Sequence, residues 1–230
     1  MSPSRRRDGP QSPELAQVPD VASIQAALQA RKRGLLGQDL YVKTAVLVPI
    51  VRDVDGQPAV LFEKRAATLR RQAGEICFPG GHVSEEDADE AATAIRETCE
   101  ELCIDKRHVS LLGPLDVLVG FGQLMVYPYA GVIDEAAQID PNPDEVAEVF
   151  TVSLQRLLTT PPEVYEMTFQ HLPGEDFPFH LIPNGRNYKW RQGVVPQLFY
   201  QFDGYVIWGL TARILTHFLD IVRAAPEFLA

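Results

Sequence analysis

Cysteine is scarce, with three in 230 residues (Cys77, Cys99 and Cys103) and no C-x-x-C pair. An odd, sparse set argues against a disulfide framework and for a reducing compartment such as the cytoplasm. Cys99 and Cys103, flanked by His82 and His108, make a conceivable zinc set, but they read better as small buried hydrophobes. Long apolar runs are also missing. None approaches the ~20 residues needed to cross a bilayer, so no membrane partner is expected. The opening stretch MSPSRRRDGPQSPEL has arginines but no apolar h-region, and is expected not to be a secretory signal. Positive charge is in deficit: 21 Lys and Arg face 31 Asp and Glu, for a net charge of −10. A general nucleic-acid-binding role is therefore disfavoured. An anionic small-molecule substrate remains open if a bound metal supplies positive charge locally.

What is present is ordinary globular material, 46% hydrophobic and 23% charged. Residues 1–19 are rich in Ser, Pro and Arg and read as a flexible tail. Residues 20–35 read as a short helix capped by Asp20. The remainder, 36–230, reads as one α+β domain. YVKTAVLVPIVR (41–52) and PAVLFEKR (58–65) are expected to pair as antiparallel strands across DVDGQ. Strands are also expected over 109–119, broken near Pro114, and over 124–133 and 145–152. SLQRLLTT reads as a short helix, 164–182 as a β-hairpin across PGED, and the chain from Leu210 as a helix docked on the sheet.

Residues 78–104, FPGGHVSEEDADEAATAIRETCEELCI, organise the rest. A glycine turn feeds a helix with Ser84 as its expected N-cap. Ala88, Ala91, Ala92, Ile95, Cys99 and Leu102 recur at helical spacing and form the expected buried stripe. Glu97, Glu100 and Glu101 are expected to face away from it as one carboxylate patch. Like charges at that spacing cost about 0.2–0.5 kcal/mol per contact unless something neutralises them. A hard divalent cation would do so. A solvated acidic face is the competing reading, and charge pattern alone favours it.

The stretch before the helix bears on that choice. Arg96, Glu97, Glu100 and Glu101 match the R-E-x-x-E-E heart of the Nudix box, and Ile104 its final apolar position. Leu61, Lys64, Arg65, Ala66, Arg70, Gly74 and Phe78-Pro79-Gly80-Gly81 stand at the spacing of the motif upstream of the box in the coenzyme A pyrophosphatase branch. The chain therefore resembles that branch of the Nudix hydrolases over roughly 42–225. Some positions depart from the pattern. His82 and Ala88 stand where the box has Gly and Glu, with Gly81 expected to do the glycine's work and Asp87 or Glu90 able to replace the acid. Cys103 stands where a glycine would take the left-handed helix end, so the helix is expected to finish differently. Phe62 and Glu63 replace the branch's Leu and Thr.

The resemblance implies a mixed-sheet α/β/α sandwich and hydrolysis of the pyrophosphate bond of coenzyme A or acyl-CoA. The products would be 3′,5′-ADP and 4′-phosphopantetheine or its acylated form. Glu97, Glu100 and Glu101, with a backbone carbonyl from Gly80 or Gly81, would bind Mg²⁺ or Mn²⁺. Arg96 would orient a glutamate. Glu145 is a candidate general base beside the box glutamates, and Lys64, Arg65 and Arg70 would hold the nucleotide phosphates. Two alternatives stand beside this: a Nudix pyrophosphatase for ADP-ribose or a dinucleotide, and a non-catalytic Nudix binding module. The module is disfavoured because none of the three glutamates is lost.

Overall fold

β-branched runs bounded by turn residues become strands, and the two strongest amphipathic stretches become helices on opposite faces of one sheet. The structure, a computed structural model, describes residues 18–120 and 122–225; most of the expected tail lies outside them. The described residues divide by their contacts into two units, one within 40–167 and 196–225, the other within 18–39 and 168–195.

The larger unit holds a mixed sheet. Strand β1 (Val42–Arg52) pairs antiparallel with β2 (Pro58–Arg65) only through its second half, Ile50 opposite Val60. The two strands then part, and the segment carrying Phe78-Pro79-Gly80-Gly81 enters the gap. Its first strand, β3 (Ile76–Cys77), pairs with the end of β2, and β4 (Gly80–His82) with the start of β1. Leu47 N–H donates to Pro79 O at 2.9 Å where they meet. Helix α2 (Glu90–Leu102) follows; α1 (Val21–Ala30) belongs to the other unit. β5 (Val109–Pro114) and β6 (Leu118–Gly120) are the two halves of the strand expected to break near Pro114. Both pair with β7 (Leu124–Ile133), which runs parallel to β1. β8 (Val146–Ser153) pairs with β2. Helix α3 (Leu154–Thr159) comes next, then a three-stranded sheet in the order β11 (Tyr205–Trp208), β10 (Gly193–Phe202), β9 (Glu163–Phe169), and finally α4 (Gly209–Arg223).

Alternation along β2 sorts its side chains between two cores. Val60 and Phe62 join the cluster that includes Leu215, Phe218 and Leu219 of α4, with Phe62 stacked on Phe78 and Phe150. Leu61 joins Leu47 and Leu102 of α2 in the other. Each such fully buried side chain stabilises the fold by about 1.5–3 kcal/mol. The result is the expected α/β/α arrangement.

In the smaller unit, α1 (Val21–Ala30) is capped by Asp20, which accepts from Ser23 N–H at 2.8 Å, and buries none of its residues. Phe177, Tyr188 and Trp190 gather edge to face, and His171 stacks on Trp190. The expected hairpin across PGED is not formed. Phe179–Leu181 is a 3₁₀ turn, and β9 lies beside β10 instead. Three prolines (Pro173, Pro178 and Pro183) deny that segment the N–H groups a strand partner needs.

Candidate active site

The acidic helix starts later and faces differently than its pattern implies. Its N-cap is Asp89, which accepts from Ala92 N–H at 2.8 Å, whereas Ser84 caps a preceding turn. Its buried residues are Thr93, Ala94, Thr98, Glu101 and Leu102; Ile95 and Cys99 pack only at the margin. The threonines can be buried because their hydroxyls bond within the chain: Thr98 Oγ1 donates to Ala94 O at 2.7 Å, and Thr93 Oγ1 to Asp87 Oδ2 at 2.7 Å. Glu101 is therefore not on an exposed patch. It is 6% exposed, and Gly80 N–H donates to its Oε2 at 2.8 Å.

The two glycines explain that approach. A Cβ at Gly80 would run into the backbone of Ala45 and Val46, and one at Gly81 would collide with the Glu97 carboxylate. Only bare backbone lets the turn sit between β1 and the helix acids.

Arg96 holds the outer half of the site. Asp87 grips its guanidinium with both oxygens, Nε to Oδ1 at 3.0 Å and a terminal nitrogen to Oδ2 at 2.9 Å. The other terminal nitrogen reaches Glu97 at 2.9 Å and Glu100 at 3.1 Å. Arg96 and Thr93 hold the Asp87 carboxyl well below the usual carboxylate range. Asp87 is thus engaged with Arg96, and Glu90 with Lys43 at 3.7 Å.

The inner half is different in kind. Burial pushes the Glu101 carboxyl up to about 7 against the Gly80 bond, with Glu97 and Glu145 adding to the rise. Burial, then the charge of Glu101, raises Glu63 well above its ordinary value. Glu63 lies on the α2 face of β2, is 1% exposed, and its Oε1 has no hydrogen-bond partner. By sequence Glu63 is a departure from the branch motif; its signal as a site residue is an acid inside the otherwise apolar strand PAVLFEKR. Glu97 is raised too, by burial first, with Arg96 opposing.

The chain after the helix brings in Glu145. Asn142 N–H donates to Glu101 O at 2.8 Å and its side-chain amide to Glu145 Oε2 at 3.3 Å, while Ala66 N–H donates to Glu145 O at 2.8 Å. Glu145 is exposed and close enough to raise Glu63, Glu97 and Glu101. The basic motif is split. Arg65 shares the α2 face and acts on both Glu63 and Glu101. Lys64 takes the alternate face and pairs with Glu148 at 2.9 Å, and Arg70 is exposed in the loop after β2.

Cys103 adopts the left-handed conformation itself, φ 51° and ψ 43°, so the helix ends as a glycine would end it. It is exposed rather than buried, and His108 bonds Asp134 at 3.0 Å, so the conceivable zinc set is not assembled. Among the described residues no three His, Cys, Asp or Glu side chains converge closely enough to chelate an ion as they stand. The inner donor set nonetheless suits a hard divalent cation: all carboxylate oxygen, in excess over Arg65, with one buried oxygen lacking any donor.

The NUDIX domain family matches residues 42–170. The chain belongs to the Nudix family. It is 35% identical over 176 residues to the uncharacterized Nudix hydrolase NudL of Cronobacter sakazakii, covering 75% of this chain and 79% of that one. It is 34% identical over 187 residues to the peroxisomal coenzyme A diphosphatase NUDT7 of Mus musculus, covering 81% and 73%. A solved MutT/nudix family protein from Enterococcus faecalis aligns at a TM-score of 0.48 and 16% identity, over 92% of this chain and 74% of that one. The chain is a Nudix pyrophosphatase, similar to the coenzyme A branch of that family. No helix among the described residues is long and apolar enough to cross a membrane.

Proposed function

We propose that this enzyme hydrolyses the pyrophosphate bond of coenzyme A or its acyl derivatives, releasing 3′,5′-ADP and 4′-phosphopantetheine or its acylated form. Glu97, Glu100 and Glu101, with the backbone at Gly81, would hold Mg²⁺ or Mn²⁺. A divalent cation there supplies neutralisation of the charge that builds on the phosphoryl oxygens. Arg96 orients Glu97 and Glu100. Glu145, exposed and adjoining the buried acids, accepts the proton of the attacking water. Arg65, Arg70 and Lys64 would engage the nucleotide phosphates. Three unpaired thiols suit a reducing compartment, and we assign the enzyme to the cytoplasm.

The observation that carries this reading is the shared face of β2. Arg65 of the upstream motif and the acids of the box lie together there, so one strand joins a phosphate-binding guanidinium to the hydrolytic centre. One observation favours a broader pyrophosphatase acting on ADP-ribose or dinucleotides: Lys64 is taken up by Glu148 on the other face. A substrate panel with Mg²⁺ decides between them. Coenzyme A is expected to be cleaved well ahead of ADP-ribose, NADH, diadenosine polyphosphates and nucleoside triphosphates. Equal turnover of dephospho-coenzyme A overturns the contact to the 3′-phosphate.

A further inference from the structure

Glu63 is the one acid on β2, and its neighbours along the strand show what the position normally accommodates. Leu61, two residues earlier on the same face, is packed apolar side chain against α2. At Glu63 the same face carries a carboxylate with 1% exposure, and Oε1 meets no donor. Buried acidic oxygens left without a partner are rare, and each needs an explanation. Arg65 is on the same face, yet its own Nε is also buried without a partner, so the two do not satisfy each other there. Across from Glu63 stands Glu101, a second buried acid, which accepts from Gly80 N–H and meets Glu63 side chain to side chain. Cys77, opposite Glu63 in the strand pairing, keeps its proton because burial pushes its thiol up to about 12, but S–H is only a weak donor.

The hydroxyl that the coenzyme A branch carries here would have needed no counter-charge. An acid here adds a third carboxyl beside Glu101 and Glu145, and its own oxygens are shut off from water. Such a group is tolerable where a cation binds between it and its neighbours.

We propose that Glu63 is a further carboxylate ligand of the divalent-cation site, presenting Oε1 from the strand side while the α2 glutamates present theirs from the helix. This rests on the reading that the α2 glutamates bind a cation. It is independent of which pyrophosphate is cleaved.

The test is Mn²⁺ binding by the full chain without substrate, followed by electron paramagnetic resonance of the free ion at a fixed neutral pH. Glu63→Gln is expected to weaken Mn²⁺ binding by tenfold or more. Glu63→Thr, which places the branch residue there and removes the buried carboxyl, is expected to do the same. Metal-free melting temperatures should be unchanged or higher, because the buried Oε1 has no donor to lose and the crowding against Glu101 is relieved. Wild-type affinity in both variants overturns the proposal. So does a wild type that binds no Mn²⁺, which also removes the cation reading beneath it. A wild type that binds Mn²⁺ through Glu63 but ignores coenzyme A overturns only the substrate.

Discussion

The two halves of the acidic cluster are built from the same residue type and treated oppositely by the fold. Around Arg96, three carboxylates share one guanidinium at 2.9–3.1 Å, and Asp87 is driven to its charged form. Under Gly80, Glu63 and Glu101 are buried against each other with one backbone N–H and the charge of Arg65 to set against them, and both are driven toward the neutral form. The first half has a cation of its own in Arg96, though three carboxylates share it. The second is short of positive charge. Taking ions out of water is costly unless they are paired, so an added dication gains most at the second half.

The largest expected effect comes from breaking the second half. Glu101→Gln keeps an acceptor for Gly80 N–H and the packing volume, but removes the charge. Turnover should fall by about 10²–10⁴-fold while the melting temperature holds. Near-normal turnover in a steady-state assay removes Glu101 from the site.

Breaking the first half should cost less, because Asp87 acts through Arg96. Asp87→Asn is expected to lower kcat/KM by about 10–100-fold. It also carries a pH signature. The Asp87 carboxyl titrates lower in the folded chain than in the unfolded one. Its stabilisation is therefore fully present above the unfolded value of about 3.9 and fades as pH falls through the lower, folded one. In urea melts the wild type should exceed the variant at pH 5, and the gap should narrow toward pH 2.5. A constant gap means the Arg96 pairing does not stabilise the fold.

The glycines sharpen the same contrast on the turn. Gly80→Ala meets rigid backbone at Ala45 and Val46, and is expected to destabilise by about 1–3 kcal/mol. Gly81→Ala meets only the end of the Glu97 side chain, which can swing away. Its stability should barely change while turnover drops about tenfold or more through the displaced carboxylate. Equal thermal losses in the two variants contradict this assignment of neighbours.

How much of this was legible depends on whether a residue's surroundings are local. β1, β2, α3 and α4 follow from apolar period and turn residues, and β2 runs over 58–65 as its pattern implies. The pairing of Arg96 with box glutamates was readable because i and i+4 meet on any helix. The burial of Glu101 was not, because it depends on β1 and β2 parting to admit the glycine turn, a contact across 21 residues. Glu63 was lost for the same reason: its period-2 position was visible, but the acid opposite it comes from another element. The start of α2 is ambiguous in sequence because Ser84 and Asp89 are equally good cap types; Asp89 caps the helix and Ser84 the turn before it.

Cys103 shows a local rule met by the wrong residue. The box pattern has glycine there because the helix must turn left-handed, and the chain makes the turn with a side chain present, φ 51°. A non-glycine residue in that conformation costs about 1–2 kcal/mol, partly offset because glycine has more freedom to lose on folding. Cys103→Gly should therefore raise stability by about 0.5–1 kcal/mol, read as a higher urea midpoint at unchanged slope. Because the helix end is already in place, Glu100 and Glu101 should not move, and turnover should stay at the wild-type rate. A gain in stability accompanied by a change in turnover would mean that the C-terminal turn of α2 sets the position of the glutamates, tying the two halves of the cluster together through the helix itself.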